Sequence, residues 1–266
     1  MVAITIMATN ASRLLLLLNW MSPTFPVGGF AYSHGLEWAI EAGIVNDAAS
    51  LRDWIGELLI RGSGWNDAIL FSACWDETDF DALNDLALAL CASQERYLET
   101  TTLGLAFATS ASSFLNCLLP LAGEEGTHVA AATWGDEGRA VLKSSPHLSH
   151  RVAMGPFPLP QAGEDNGAIA YPIAAGWACR EAGIARADAL LAWLQQFVNS
   201  QVSVAVRLVP LGQTKGLEVL RDLIPAIAAV ADCAAHASLE ELGSATIGAE
   251  IAAMKHETQV TRIFRT

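Results

Sequence analysis

Ser22-Pro23-Thr24-Phe25-Pro26-Val27-Gly28-Gly29-Phe30-Ala31-Tyr32-Ser33-His34-Gly35-Leu36-Glu37 lies between an apolar run, Leu14 to Trp20, and a helical pattern that opens at Leu36. Pro23 and Pro26 hold the backbone extended and each lacks an N–H, while Gly28-Gly29 lets the chain turn where a Cβ would clash. The stretch predicts a stiff corner between two helices, with Pro23, Pro26, Gly28, Gly29 and Gly35 as its structural residues, and not a flexible linker.

Outward from that corner the periodicity is helical. Asn10 or Ser12 is placed to cap a short helix over Arg13 to Trp20, and a second helix runs from Leu36 to Ala42 and stops at Gly43. Ser50-x-x-Asp53 resembles a capping box ahead of Leu51, Trp54, Ile55, Leu58 and Leu59, and Gly62-Ser63-Gly64 ends that helix. Further helices are predicted at Trp65 to Trp75, after the acidic start Asp76 to Asp81, and from Gln94 to Phe114, where Gly104, Ala106, Ala108, Ser110, Ala111 and Ser112 permit close helix approach. Such a small-residue helix reads as a tightly packed core element or, alternatively, as a dimer seam.

Beyond Tyr171-Pro172 a helix begins near Asp188. Val202 to Leu208 alternates like a strand, but a single strand has no partner in this chain, so helix is expected there too. Pro225 is expected to end or kink the helix carrying Leu217, Leu220 and Ile224, and a last helix carries Ile247, Ile251 and Met254. The fold class is therefore all-α: a single-domain helical bundle of about ten helices over residues 1–266. It is interrupted at about 118–166, where periodicity fades and glycines and prolines recur. Leu119-Pro120-Leu121-Ala122-Gly123-Glu124-Glu125 and Leu159-Pro160-Gln161-Ala162-Gly163-Glu164-Asp165 flank that segment as near-copies, which reads as an insertion forming a mobile surface excursion.

Composition narrows the partners. With 52% hydrophobic and only 16% charged residues, an isolated chain hides less apolar surface than it carries, which points to an oligomer or an obligate complex. The net charge of −13 argues against nucleic acid and anionic membrane, and no run reaches the roughly 20 apolar residues of a spanning helix. Cys74, Cys91, Cys117, Cys179 and Cys233 are scattered and never form C-x-x-C, as expected of reduced thiols in a cytoplasmic protein.

Catalytic motifs are weak. Ala31-Tyr32-Ser33-His34-Gly35 matches an A-x-S-x-G nucleophile elbow, and a serine hydrolase acting through Ser33 is one alternative. No strand delivers the serine, however, so Ser33 is expected to be a helix cap with Glu37 in the first turn. His147-Leu148-Ser149-His150 offers two imidazoles without a third ligand, and neither a phosphate-binding loop nor a dinucleotide fingerprint is present. No catalytic residue, metal ligand or cofactor site is assigned. The C-terminal stretch holds Lys255, Arg262 and Arg265 against Glu257, with Val260, Ile263 and Phe264 on one helical face; it reads equally as a docking peptide or as a tail folded on its own core. A generic helical adaptor is the second alternative.

The corner, together with Val206-Arg207-Leu208-Val209-Pro210-Leu211-Gly212-Gln213-Thr214 and the closing His256-Glu257-Thr258-Gln259 with Arg262 and Phe264, resembles the urease accessory protein family UreF. The likeness covers about Leu14 to Cys117 and Tyr171 to the end, and Val260 stands where the family usually has tyrosine. It implies an all-helical, dimeric scaffold without chemistry of its own. Such a scaffold binds UreD (also called UreH) and recruits the GTPase UreG to the urease apoprotein, where nickel is inserted and the active-site lysine carbamylated; nickel is handled by the complex and no cofactor by this chain. It also implies partner contact at Tyr32, His34 and Glu37 near the corner and at Glu257, Gln259, Arg262 and Phe264 in the tail.

Overall fold

The computed structural model describes residues 10–29, 31–118 and 168–264. Ten α-helices follow one another among them: α1 (Asn10–Trp20), α2 (Leu36–Glu41), α3 (Ala48–Arg61), α4 (Ser63–Ala73), α5 (Phe80–Ala89), α6 (Gln94–Leu118), α7 (Tyr171–Glu181), α8 (Arg186–Leu208), α9 (Gly212–Ala234) and α10 (Ile247–His256), with one 3-10 turn at Leu239–Glu241. No strand occurs among the described residues, and the all-α expectation holds. The segment read as an insertion, with His147 and His150, lies outside the described residues apart from Leu118, which closes α6.

The interior is built from α6 against α7, α8 against α9 and α3 against α9, with α4 lying on α7 and α8. α6 comes so close to the residues preceding α7 that a Cβ on Gly104 would sit 1.9 Å from the Ile169 carbonyl oxygen. The small residues of α6 thus serve packing within the chain: Gly104, Ala108 and Ala111 are buried, and the reading as a dimer seam falls away for this face. Aromatic rings fill the spaces between layers. Phe107 of α6 meets Phe25 of the corner edge-on at 5.0 Å and Trp20 of α1 at 6.2 Å, while Phe71 stacks on Trp193 at 5.0 Å. Cys74, Cys91, Cys179 and Cys233 are free, and burial pushes the Cys74 thiol up to about 12.

Four local expectations need correction. The capping box of α3 starts three residues earlier than read: Asp47 Oδ1 accepts from the Ser50 amide at 2.8 Å and Ser50 Oγ accepts from the Asp47 amide at 3.1 Å, leaving Asp53 to pair with Arg52. Pro225 does not end its helix. α9 runs through it because Val219, Leu223, Ile227 and Val230 keep one buried stripe on both sides of the proline, and packing offsets the single lost hydrogen bond. Ser33 is not the cap of α2: that position belongs to Gly35, and no side chain caps the helix. The tail is not helical either, as its geometry below makes plain.

Candidate functional site

The corner turns through a run of short backbone bonds. The Phe25 amide donates to the Ser22 carbonyl, that of Val27 to Phe25 and that of Ala31 to Gly28. Gly28 has φ 71°, and a Cβ there would press into Leu103 and Tyr32; the Val27 carbonyl is held from α8 by the Gln196 amide at 3.1 Å. The chain then enters α2 through two residues in the left-handed region, His34 (φ 50°) and Gly35 (φ 76°). At Gly35 glycine is required twice over, by its φ and because a Cβ would lie 2.6 Å from the Ala253 backbone nitrogen of α10. The N-terminal corner and the last helix therefore meet backbone to backbone.

His34 is a non-glycine residue in a sparsely populated conformation, and its surroundings hold it there. Its Nε2 lies 3.1 Å from Glu99 Oε1, and its ring stands edge-on to Phe197 at 5.3 Å. Glu99 also accepts from Arg96 Nη1 at 2.7 Å, and Arg96 Nη2 reaches Asp67 of α4 at 3.2 Å. This inner cluster encloses one guanidinium between a buried carboxylate, Glu99, and a half-buried one, Asp67. Burial works against the Arg96 charge, yet Glu99 and Asp67 raise its pKa overall. Burial likewise lifts Glu99, but the attraction of Arg96 and His34 prevails and its carboxyl is held below the ordinary value. For Asp67 burial wins, and its carboxyl is raised in spite of Arg96.

A second cluster surrounds the C-terminal tail. His256, the last residue of α10, has no exposed surface and sits between two carboxylates: Nε2 is 3.0 Å from Glu37 Oε2 and Nδ1 is 2.9 Å from Glu95 Oε2. The next residue, Glu257, turns back to accept from the Gln94 amide at 2.9 Å and the Glu95 amide at 3.4 Å, placing a negative charge on the unsatisfied N–H groups that open α6. The chain leaves the helix in tight turns, Thr258 amide to Lys255 carbonyl and Gln259 amide to His256 carbonyl. It then runs alongside α2, where the Ile263 and Phe264 amides donate to the two oxygens of Glu37 at 2.7 and 2.9 Å and Arg262 Nη1 bonds Glu95 at 2.5 Å. A helical tail would lock both of those amides into its own ladder. In this path Phe264 is inserted under Arg207 and is 4% exposed, whereas Val260 is 99% and Ile263 71% exposed, so the three do not share a buried face.

The model described as UreF matches residues 45–224, more than half of the sequence. The chain belongs to the UreF family. Proteins named "Urease accessory protein UreF" resemble it from end to end. That of Methylorubrum populi is 41% identical over 257 residues, covering 94% of this chain and 98% of the relative. That of Rhodopseudomonas palustris strain HaA2 is 39% identical over 264 residues, 97% and 95% of the two chains, and that of Cereibacter sphaeroides 41% over 256 residues, 96% and 100%. UreF membership makes the role that of a urease accessory protein, not a catalytic one.

Within this UreF chain the residues singled out from sequence divide between the two clusters. Glu37, Glu257, Arg262 and Phe264 come together in the tail seat, and Gln259 joins them by bonding Glu41 of α2 and the Thr261 carbonyl. His34 belongs to the inner cluster, and Tyr32 is buried beside Gly28. Ser33, the candidate nucleophile, is 0% exposed, out of reach of a substrate in solution. Sequence reasoning missed Asp67, Glu95, Arg96 and Glu99. The signal for Glu95, Arg96 and Glu99 was a cluster of charge at the opening of a helix that carries none after Glu99, in a chain where charge is scarce; Asp67 had no such signal.

Proposed function

We propose that this chain is a cytoplasmic scaffold of urease maturation that binds UreD (UreH) and recruits UreG to the urease apoprotein for nickel insertion, without holding nickel or a cofactor itself. The observation that carries the reading is the convergence of two distant stretches, the corner and the tail, on one surface. Around their polar seat the outward residues are apolar: Ile247, Ile251 and Met254 on α10 are about half exposed or more, and Val260 and Ile263 stand free in the tail. Exposed apolar side chains gathered on one helix and the segment after it mark a surface for another protein. Holding a GTPase and its target in one assembly raises their effective concentration, and nucleotide hydrolysis supplies direction.

Deleting Val260 to Thr266 is expected to abolish co-purification of UreD while leaving the far-ultraviolet circular dichroism unchanged; retained co-purification removes the tail from the partner surface. A separate face supports the homodimer. Leu14, Leu15 and Leu18 of α1 are all more than half exposed, and Leu14 and Leu18, with Leu191 and Ile224, border a groove of about 790 Å³ between α1, α8 and α9. The double variant Leu14→Asp, Leu18→Asp is expected to sediment as a monomer with unchanged helicity, and a dimer surviving both changes places the contact elsewhere.

A further inference from the structure

We propose that His256 is a proton-operated latch on the C-terminal tail: the imidazolium form holds Arg262 to Phe264 in their seat, and loss of its proton releases them. The inference rests on the reading of the tail as a partner handle and adds what controls its availability. The geometry is the argument. Ionised carboxylates only accept, so with Glu37 and Glu95 both charged, His256 makes its two bonds together only when both ring nitrogens carry hydrogen. The two carboxylates occupy opposite nitrogens and do not converge on a common point, which suits a proton and not a metal ion.

The same carboxylates are the tail's anchors. Glu37 receives the Ile263 and Phe264 amides, and Glu95 receives Arg262. With the imidazolium in place, His256 and Arg262 balance Glu37 and Glu95. With a neutral ring, one nitrogen lone pair of the buried imidazole faces a carboxylate, and among these four groups one negative charge is left over. Among the described residues, the other charged groups at this locus are Glu257 on the start of α6, Lys255 over the Trp38 ring of α2, Glu41 of α2 bonded by Gln259, and Arg207 of α8 over Phe264. Each already has a contact of its own, so none replaces the lost proton. The sign follows: the seat is held while both ring nitrogens carry hydrogen and loosens when a rise in pH removes one of those protons.

The test uses the full chain alone, with histidines labelled by 15N. Ring nitrogen shifts read the protonation of His256 from about pH 5.5 to about pH 9, with His256→Gln assigning the signal, while exchange of the Ile263 and Phe264 amides, corrected for intrinsic rates, reads the tail. Protection of both amides is expected to fall about ten- to a hundredfold as the ring deprotonates, the size of one charge-assisted hydrogen bond. In Glu95→Gln, which keeps an acceptor for Nδ1 but removes the charge, protection is expected to be lower at every pH. Protection unchanged through the ring's titration overturns the latch, as does a ring that keeps one protonation state across the whole range. Neither result bears on whether the tail binds UreD, which the deletion variant decides separately.

Discussion

The two ionic clusters share a helix turn and differ in almost everything else. Glu95 and Arg96 are neighbours at the start of α6, yet Glu95 faces the tail while Arg96 faces inward to Asp67, Glu99 and His34. The inner cluster joins α4, α6 and the corner, all laid down in the first hundred residues, around a guanidinium. The outer one depends on residues 256–264, is centred on an imidazole, and anchors the tail through two backbone amides and one arginine. A guanidinium does not lose its charge at any pH a protein meets, whereas an imidazole does. One cluster is built as a fixed joint and the other as a detachable one, although both hang from the same corner through His34 and Glu37.

The sharpest way to break this contrast is to remove the cation from each. Arg96→Met leaves Asp67 and Glu99 facing each other in the interior and is expected to lower the unfolding free energy by about 3–5 kcal/mol, the range for breaking a buried pair from one side. Arg262→Met removes a side chain that is 40% exposed, against 14% for Arg96, and is expected to change global stability by less than about 1 kcal/mol while freeing the tail. Urea titrations of the two variants check the difference. Equal losses would mean that the tail is as much a part of the fold as α4.

A smaller effect separates the clusters by pH. Glu99 has a carboxyl held below its ordinary value, so its contribution is present above the unfolded carboxylate range and lost as pH falls through the depressed folded value. Glu99→Gln is expected to lose about 2–4 kcal/mol at neutral pH, with the gap to the parent narrowing below about pH 4. Thermal melts across that range measure it. This dependence runs opposite to that of the tail seat, which weakens as pH rises.

Which parts of this arrangement could be read from sequence follows from how local each cause is. Helix periodicity is local, and Val202 to Leu208 lies in α8 as expected, no strand to pair with it occurring among the described residues. The corner was legible because Pro23, Pro26 and Gly28 act on their own backbone, and Gly35, named among its structural residues, has a positive φ. What Gly35 packs against was not legible: Ala253 is more than 200 positions away, and nothing in either segment names the other. For the same reason Glu37 and Phe264 could be named as candidates but not joined. Pro225 shows the converse, a strong local signal overruled by a buried stripe that continues on both sides of it. The capping box slipped because Ser50 can serve a box as its first or its fourth residue, and only the path of the chain before Ala48 decides which.

The finest distinction lies inside the inner cluster, between its two carboxylates. Asp67 is raised by burial where Glu99 is lowered, because Glu99 has both Arg96 and His34 within 3.1 Å and Asp67 has only the far arm of the guanidinium at 3.2 Å. A raised folded value means that ionised Asp67 is less favoured in the fold than in the unfolded chain, so its influence on stability is best at low pH and is lost as pH rises through that value. Asn at this position keeps an acceptor for Arg96 and removes the charge. Asp67→Asn is therefore expected to leave the stability at pH 7 unchanged or raised by up to about 1 kcal/mol, the opposite direction from Glu99→Gln, and to bring no gain near pH 4. Paired urea titrations at the two pH values decide it. Should Asp67→Asn cost as much as Glu99→Gln, the two carboxylates carry equal charge, and the fixed joint is a symmetric triad in place of one tight pair with an uneasy neighbour.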